Sequence, residues 1–149
     1  MFLPCMVMRP QSAKAKGRRL QQFIAQELLR IFPHLSEDDI RSTSMGAGGE
    51  DIQLSSAARR CIPFSIEAKN QERLNVWAAL DQAKANAPTN CEPIVVLKKN
   101  SCKPHVLLSW DCFARMLSNV DEGGKMMSEK ELFLHMADKL QMLASSMQD

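Results

Sequence analysis

Tyrosine is absent from this chain and tryptophan occurs only twice. Binding of single-stranded nucleic acid along a track of stacked rings needs more aromatic faces than that, so such a role is disfavoured. Long apolar runs are missing as well, since no stretch approaches the ~20 residues that a membrane-spanning helix requires. Met1–Met8 is apolar but short, has no leading basic region and runs straight into Arg9–Pro10. It reads as a loose leader, to about residue 11, or an edge strand, and not as a secretory signal. No membrane partner is expected. Zinc-binding patterns are also lacking. The five cysteines, at 5, 61, 91, 102 and 112, are odd in number, contain no Cys-x-x-Cys pair and have no histidines at matching spacing. They fit small buried hydrophobes in a reducing compartment, which points to the cytoplasm. The net charge of +2 gives no strong pull toward partners of either sign.

What is present is the composition of one ordinary globular domain: 149 residues, 45% apolar and 24% charged. Charge is unevenly spread. Between Met1 and Arg30 stand Arg9, Lys14, Lys16, Arg18, Arg19 and Arg30 against a single acid, Glu27. Asp121-Glu122-Gly123-Gly124 is the one convincing linker. The expected organisation is a core over residues 1–120, a linker over 121–127 and a C-terminal helix over 128–149. That helix opens on the capping box Ser128-Glu129-Lys130-Glu131. Its stripe of Leu132, Met136, Leu140 and Leu143 is expected to pack on the core or on a partner subunit.

Within the core, Leu20, Phe23, Ile24, Leu28 and Ile31 recur at a spacing near 3.6, which predicts an amphipathic helix from about Ser12 to Phe32, ended by Pro33. Arg41 to Gly49 is rich in small residues and reads as a loop. Asp51–Ser55 alternates, and Cys61–Lys69 follows through Ser56–Arg60, so the two read as an antiparallel hairpin. Val76, Trp77, Leu80 and Ala83 predict a second helix over Asn75–Ala87. Ile94–Leu97 has the look of a buried strand, His105–Trp110 of a further one, and Asp111 of the cap of a short helix to Leu117. The order implies an α/β domain with a central mixed β-sheet flanked by helices.

One constellation carries chemistry. On a strand, Glu67 and Lys69 are two residues apart and share a face, while Ile66 and Ala68 take the other. A hairpin would set the start of its first strand, Asp51, beside the end of the second. Two carboxylates brought this close repel unless a cation lies between them, and magnesium is commonly held by one or two carboxylates with water completing its shell. Lys69 could then orient or deprotonate a water, or hold a phosphate as a point charge. The plain alternative is a strand ion pair between Glu67 and Lys69, worth at most about 1 kcal/mol at a surface.

The glycine-rich loop into Gly49-Glu50-Asp51-Ile52, followed by Ile66-Glu67-Ala68-Lys69, resembles the PD-(D/E)XK nuclease superfamily, in particular the archaeal-type and phage-encoded Holliday junction resolvases. The resemblance runs from about Lys14 to Ala87, with Glu50 at the position of the family's proline. It implies a restriction-endonuclease-like core and Mg2+ (with Mn2+ able to substitute) held by Asp51, Glu67 and the Ala68 carbonyl. It implies that Lys69 acts on the nucleophilic water, that Glu27 on the first helix completes the metal site, and that Gln82 on the following helix assists. Serines before the aspartate, here Ser42 and Ser44, become phosphate contacts. Lys14, Lys16, Arg18 and Arg19 on the first helix, with Arg59 and Arg60 at the expected hairpin tip, would grip DNA phosphates without reading sequence. The activity implied is endonucleolytic cleavage of branched DNA by a homodimer in a bacterial or phage-infected cell. The alternatives are a restriction- or repair-type nuclease on linear duplex, or an inactive DNA-binding module of the same fold.

Overall fold

The computed structural model describes residues 10–43, 48–119, 133, 134, 136 and 137. Two compact units divide at Ser109/Trp110. The first holds an α/β arrangement: a mixed three-stranded sheet and an antiparallel two-stranded sheet, flanked by helices.

Helix α1 (Pro10–Ile31) presents Leu20, Ile24 and Ala25 as its buried face, as the 3.6 periodicity predicts, and it stops before Pro33. Strands β1 (Ile40–Ser42) and β2 (Ile52–Leu54) pair antiparallel, with Arg41 opposite Gln53. The pairing is extended where the Thr43 amide donates to the Asp51 carbonyl at 2.8 Å. β1 overlaps the start of the segment expected to be a loop, at Arg41 and Ser42. Its short length hides any alternation, yet Ile40 and its partner strand's Ile52 are almost completely buried.

The expected hairpin between Asp51–Ser55 and Cys61–Lys69 does not form. Helix α2 (Ser56–Cys61) intervenes. Ser55 caps it, accepting from the Ala58 amide at 3.2 Å while its hydroxyl donates to Asp39 Oδ1 at 2.7 Å. Alanine and arginine are strong helix formers, so a capped Ser-Ala-Ala-Arg-Arg run favours helix over a turn. The chain then enters β3 (Phe64–Asn70), crosses through α3 (Val76–Asn86) and returns as β4 (Glu92–Lys98). β3 and β4 are parallel, with Glu67 opposite Val95 and Lys69 opposite Leu97, and β5 (His105–Leu107) adds antiparallel to β4. The sheet order is β3-β4-β5, so β3 is an edge strand.

Side-chain alternation along β3 and β4 splits the core in two. Ile66, Ala68, Ile94 and Val96 pack with Leu20 and Ile24 of α1. Val95 and Leu97 pack with Ala79 and Ala83 of α3. Glu67 and Lys69 are therefore on the α3 side of the sheet.

In the second unit, α4 (Trp110–Ser118) carries Asp111 in its first turn, where a carboxylate meets the helix's free amides, and buries Cys112. Trp110 opens this helix and does not end the strand before it. Residues 133, 134, 136 and 137 are helical. The last two residues of the expected leader, 10 and 11, belong to α1, while residues 1–9, the linker and most of the C-terminal helix lie outside the described residues. Among the described residues no helix is long and apolar enough to cross a membrane.

Candidate active site

The outer edge of β3 positions the site. An edge strand leaves amides and carbonyls without a neighbouring strand, and these need other partners. Asp51, just ahead of β2, supplies one: its Oδ2 accepts from the Ala68 amide at 2.7 Å. The amide and carbonyl of one strand residue leave on the same edge, so Ala68 offers its carbonyl on the side that Asp51 occupies. Gly49 takes a φ of 100° shortly before Asp51, a conformation that glycine enters without strain. The other Asp51 oxygen accepts from Gln21 Nε2 of α1 at 2.8 Å.

Glu67 is almost wholly buried, at 2% exposure. Its Oε1 lies 2.8 Å from the Lys69 ammonium, and its Oε2 accepts from Asn86 Nδ2 at 3.3 Å. Lys69 also donates to Gln82 Oε1 at 2.8 Å. Strand β3 and helix α3 together thus hold the acid and the amine in fixed orientation. Asp51 has its carboxyl raised above the ordinary value, chiefly by burial. The Glu67 charge adds to the rise, whereas the Ala68 amide, the Lys69 charge and the Gln21 amide oppose it.

Asp51, Glu67, Ala68, Lys69 and Gln82 come together here. Glu27 does not join them: it forms an exposed pair with Arg30, 2.9 Å away, and that contact lowers its pKa. At about 100° per residue along a helix, Glu27 and Gln21 point to different sides of α1, and Gln21 is the one that reaches Asp51. Gln21 and Asn86 were not anticipated. A polar residue on the apolar stripe of Leu20 and Ile24 was the available signal for the first. For the second it was the one-turn spacing from Gln82 on α3.

No family model, curated protein or solved structure matches the chain.

Among the described residues no group of three or more histidine, cysteine, aspartate and glutamate side chains gathers as a metal-ligand cluster. Magnesium needs fewer, and the donors here are all hard oxygens: two carboxylates and a main-chain carbonyl. Gln21 Oε1 is buried with no hydrogen-bond partner, on the very amide whose nitrogen holds Asp51. Buried polar atoms are rarely left so, and an oxygen of this kind suits a cation or a water of its shell. The residues fit a hard divalent ion.

The basic residues divide. Lys14, Arg18 and Arg19 are exposed on α1, and Lys16 is half-buried, donating to Asn100 Oδ1 at 2.6 Å. Arg59 is not at a hairpin tip, because there is no hairpin. It sits in α2, paired with Glu50, and donates to the Phe64 carbonyl at 3.0 Å, tying three segments together. Arg60 is exposed on the same helix. Ser42 is half-buried in β1, and Ser44 lies outside the described residues.

Proposed function

We propose that the chain is a metal-dependent endodeoxyribonuclease that hydrolyses DNA phosphodiesters. Asp51, Glu67 and the Ala68 carbonyl would hold Mg2+ or Mn2+. When bound, such an ion acidifies a water and offsets charge growing on the phosphate. The observation that carries the reading is the seating of Asp51 on the Ala68 amide, between the two side chains of β3 that carry the acid and the amine.

The chain's own groups divide the work. Asp51 must be ionised to serve, so a cation there competes with a proton that the raised pKa holds more tightly. Lys69, held by Glu67 and Gln82, presents its ammonium to a water or to a phosphate oxygen and keeps it oriented. Asn86 fixes the second Glu67 oxygen, leaving this carboxylate little freedom to turn away. Exposed Lys14, Arg18 and Arg19 add phosphate contacts that carry no sequence preference. The resemblance to junction resolvases makes branched DNA the proposed substrate and a homodimer the proposed form.

The test is cleavage of a four-way junction, a flap and a linear duplex of matched sequence, with magnesium. Asp51→Asn and Glu67→Gln are each expected to lose more than ~100-fold in rate, beyond what loss of a mere supporting partner costs a metal site. Both should still bind the junction. Cleavage by either variant at the wild-type rate would refute the assignment, and preference for linear duplex would replace the junction with the restriction- or repair-type substrate.

A further inference from the structure

A pocket of about 390 Å3 opens between α1, the end of β3 and the β4–β5 loop, a size within the range that binds small organic ligands. Lys16, Arg19, Leu20 and Phe23 recur along one face of α1 and form its first wall, basic toward the helix start and apolar beyond. Lys98 and Pro104 repeat that division on the opposite side. Leu20 and Asn70 of the pocket are next to Gln21 and Lys69 in the chain, but the pocket lies on the α1 side of the sheet, whereas Glu67 and Lys69 are on the α3 side.

Its walls are fixed in place. Lys98 Nζ donates to the carbonyls of Lys99 and Cys102, at 3.2 and 2.8 Å. Both partners are neutral, and an ammonium has a third proton to offer. The Asn100 amide is held by Glu72 at 2.7 Å, and Asn70 Nδ2 donates to the Lys16 carbonyl at 3.2 Å. Ser101, at the pocket, has a φ of 58°, a backbone conformation rare outside glycine and asparagine.

These walls select for a ligand with two characters. A bare phosphate would leave Leu20, Phe23 and Pro104 uncovered, while a purely apolar ligand would press against three cations. A nucleotide has both an anionic and a flat apolar part. We propose that the pocket takes one nucleotide unit of a DNA strand, with its phosphate toward Lys16, Arg19 and Lys98 and its base against Phe23 and Pro104. That this unit flanks the bond to be cut rests on the nuclease reading; the binding itself does not. A single seated base also suits a chain too poor in aromatics for a stacking track.

The experiment is an NMR titration of the full chain, with divalent ions chelated, using thymidine bisphosphate, a short oligothymidylate and inorganic phosphate as probes. Both nucleotide probes should shift the amides of Phe23, Asn70 and Asn100, and the oligonucleotide should bind tightest. Phe23→Ala is expected to weaken oligonucleotide binding about 10-fold, within the worth of one base–aromatic contact. Arg19→Ala should weaken all three probes. Phe23 is 45% exposed and Arg19 is at the surface, so both variants should keep a folded spectrum. Shifts centred elsewhere, phosphate binding as tightly as the bisphosphate, or variants equal to wild type would overturn the proposal. Free bisphosphate binding as tightly as the oligonucleotide would overturn its assignment to a strand. Pocket binding in a chain that cuts no DNA would keep the pocket and remove the nuclease, and cutting without pocket binding would do the reverse.

Discussion

Asp51 is the residue on which both the local fold and the proposed chemistry turn. Burial and the nearby Glu67 raise its pKa in the folded protein, so the native state holds this proton more tightly than the unfolded chain does. Ionising it therefore costs stability. The cost is absent below the ordinary carboxylate pKa, grows as pH rises from there through the raised folded value, and is constant above it. Asp51→Asn removes that dependence, so denaturant titrations between about pH 3 and about pH 8 should show the variant gaining on wild type as pH rises. A difference independent of pH would mean that Asp51 titrates normally. Cleavage should likewise fail on acidification at a pH above the ordinary carboxylate range, since proton and cation compete for the same oxygens. At this scale the sequence revealed the shared face of Glu67 and Lys69 through strand spacing, while Gln82 followed only from the family resemblance and Asp51 from that resemblance and a hairpin that does not form. The sequence hid Gln21, because the charge of Glu27 drew attention to the wrong side of α1.

Among the elements, α1, α3 and β4 were legible: two carry apolar residues at helical spacing between clear stops, and one is a short apolar run. The segment between β2 and β3 was not. Two apolar stretches a few residues apart imitate a hairpin, and only the Ser55 cap followed by strong helix formers marks α2. The consequence reaches Arg59, which acts as a structural tie between α2, Glu50 and β3. Its side chain is 22% exposed and that of Glu50 12%, so the pair lies between surface and buried regimes. Arg59→Ala is expected to destabilise the fold by about 1–3 kcal/mol, with little change in the salt dependence of DNA affinity. A stable variant with a shallower salt slope would return Arg59 to the DNA-binding surface. By contrast Asp39, whose pKa is lowered first by the Ser55 hydroxyl and then by Ser36, helps hold the start of α2. Asp39→Ala should lose stability at neutral pH. That deficit should shrink as pH falls through the depressed folded pKa, as thermal melts at several pH values would reveal.

For the molecule as a whole, the α/β class followed from the alternation of helical and strand patterns, while the pairing of strands did not. Sequence proximity suggested β2 against β3, yet β3 joins β4 through the α3 crossover and leaves its outer edge to a side chain. That edge, without a paired strand on its outer side, is what brings Asp51, Ala68, Glu67 and Lys69 together, and a hairpin would have filled it with hydrogen bonds to β2. The site thus depends on the topology that the sequence left hidden. The proposed chemistry requires a divalent cation bound at this edge. Titration of the intact chain with Mn2+, followed by paramagnetic loss of backbone amide signals, addresses it without DNA or turnover. Signals from Gln21, Asp51 and Ala68 should disappear first in the wild type and persist in Asp51→Asn at the same Mn2+ concentration. Broadening centred elsewhere, or equal broadening in the two proteins, would contradict the metal site and with it the nuclease.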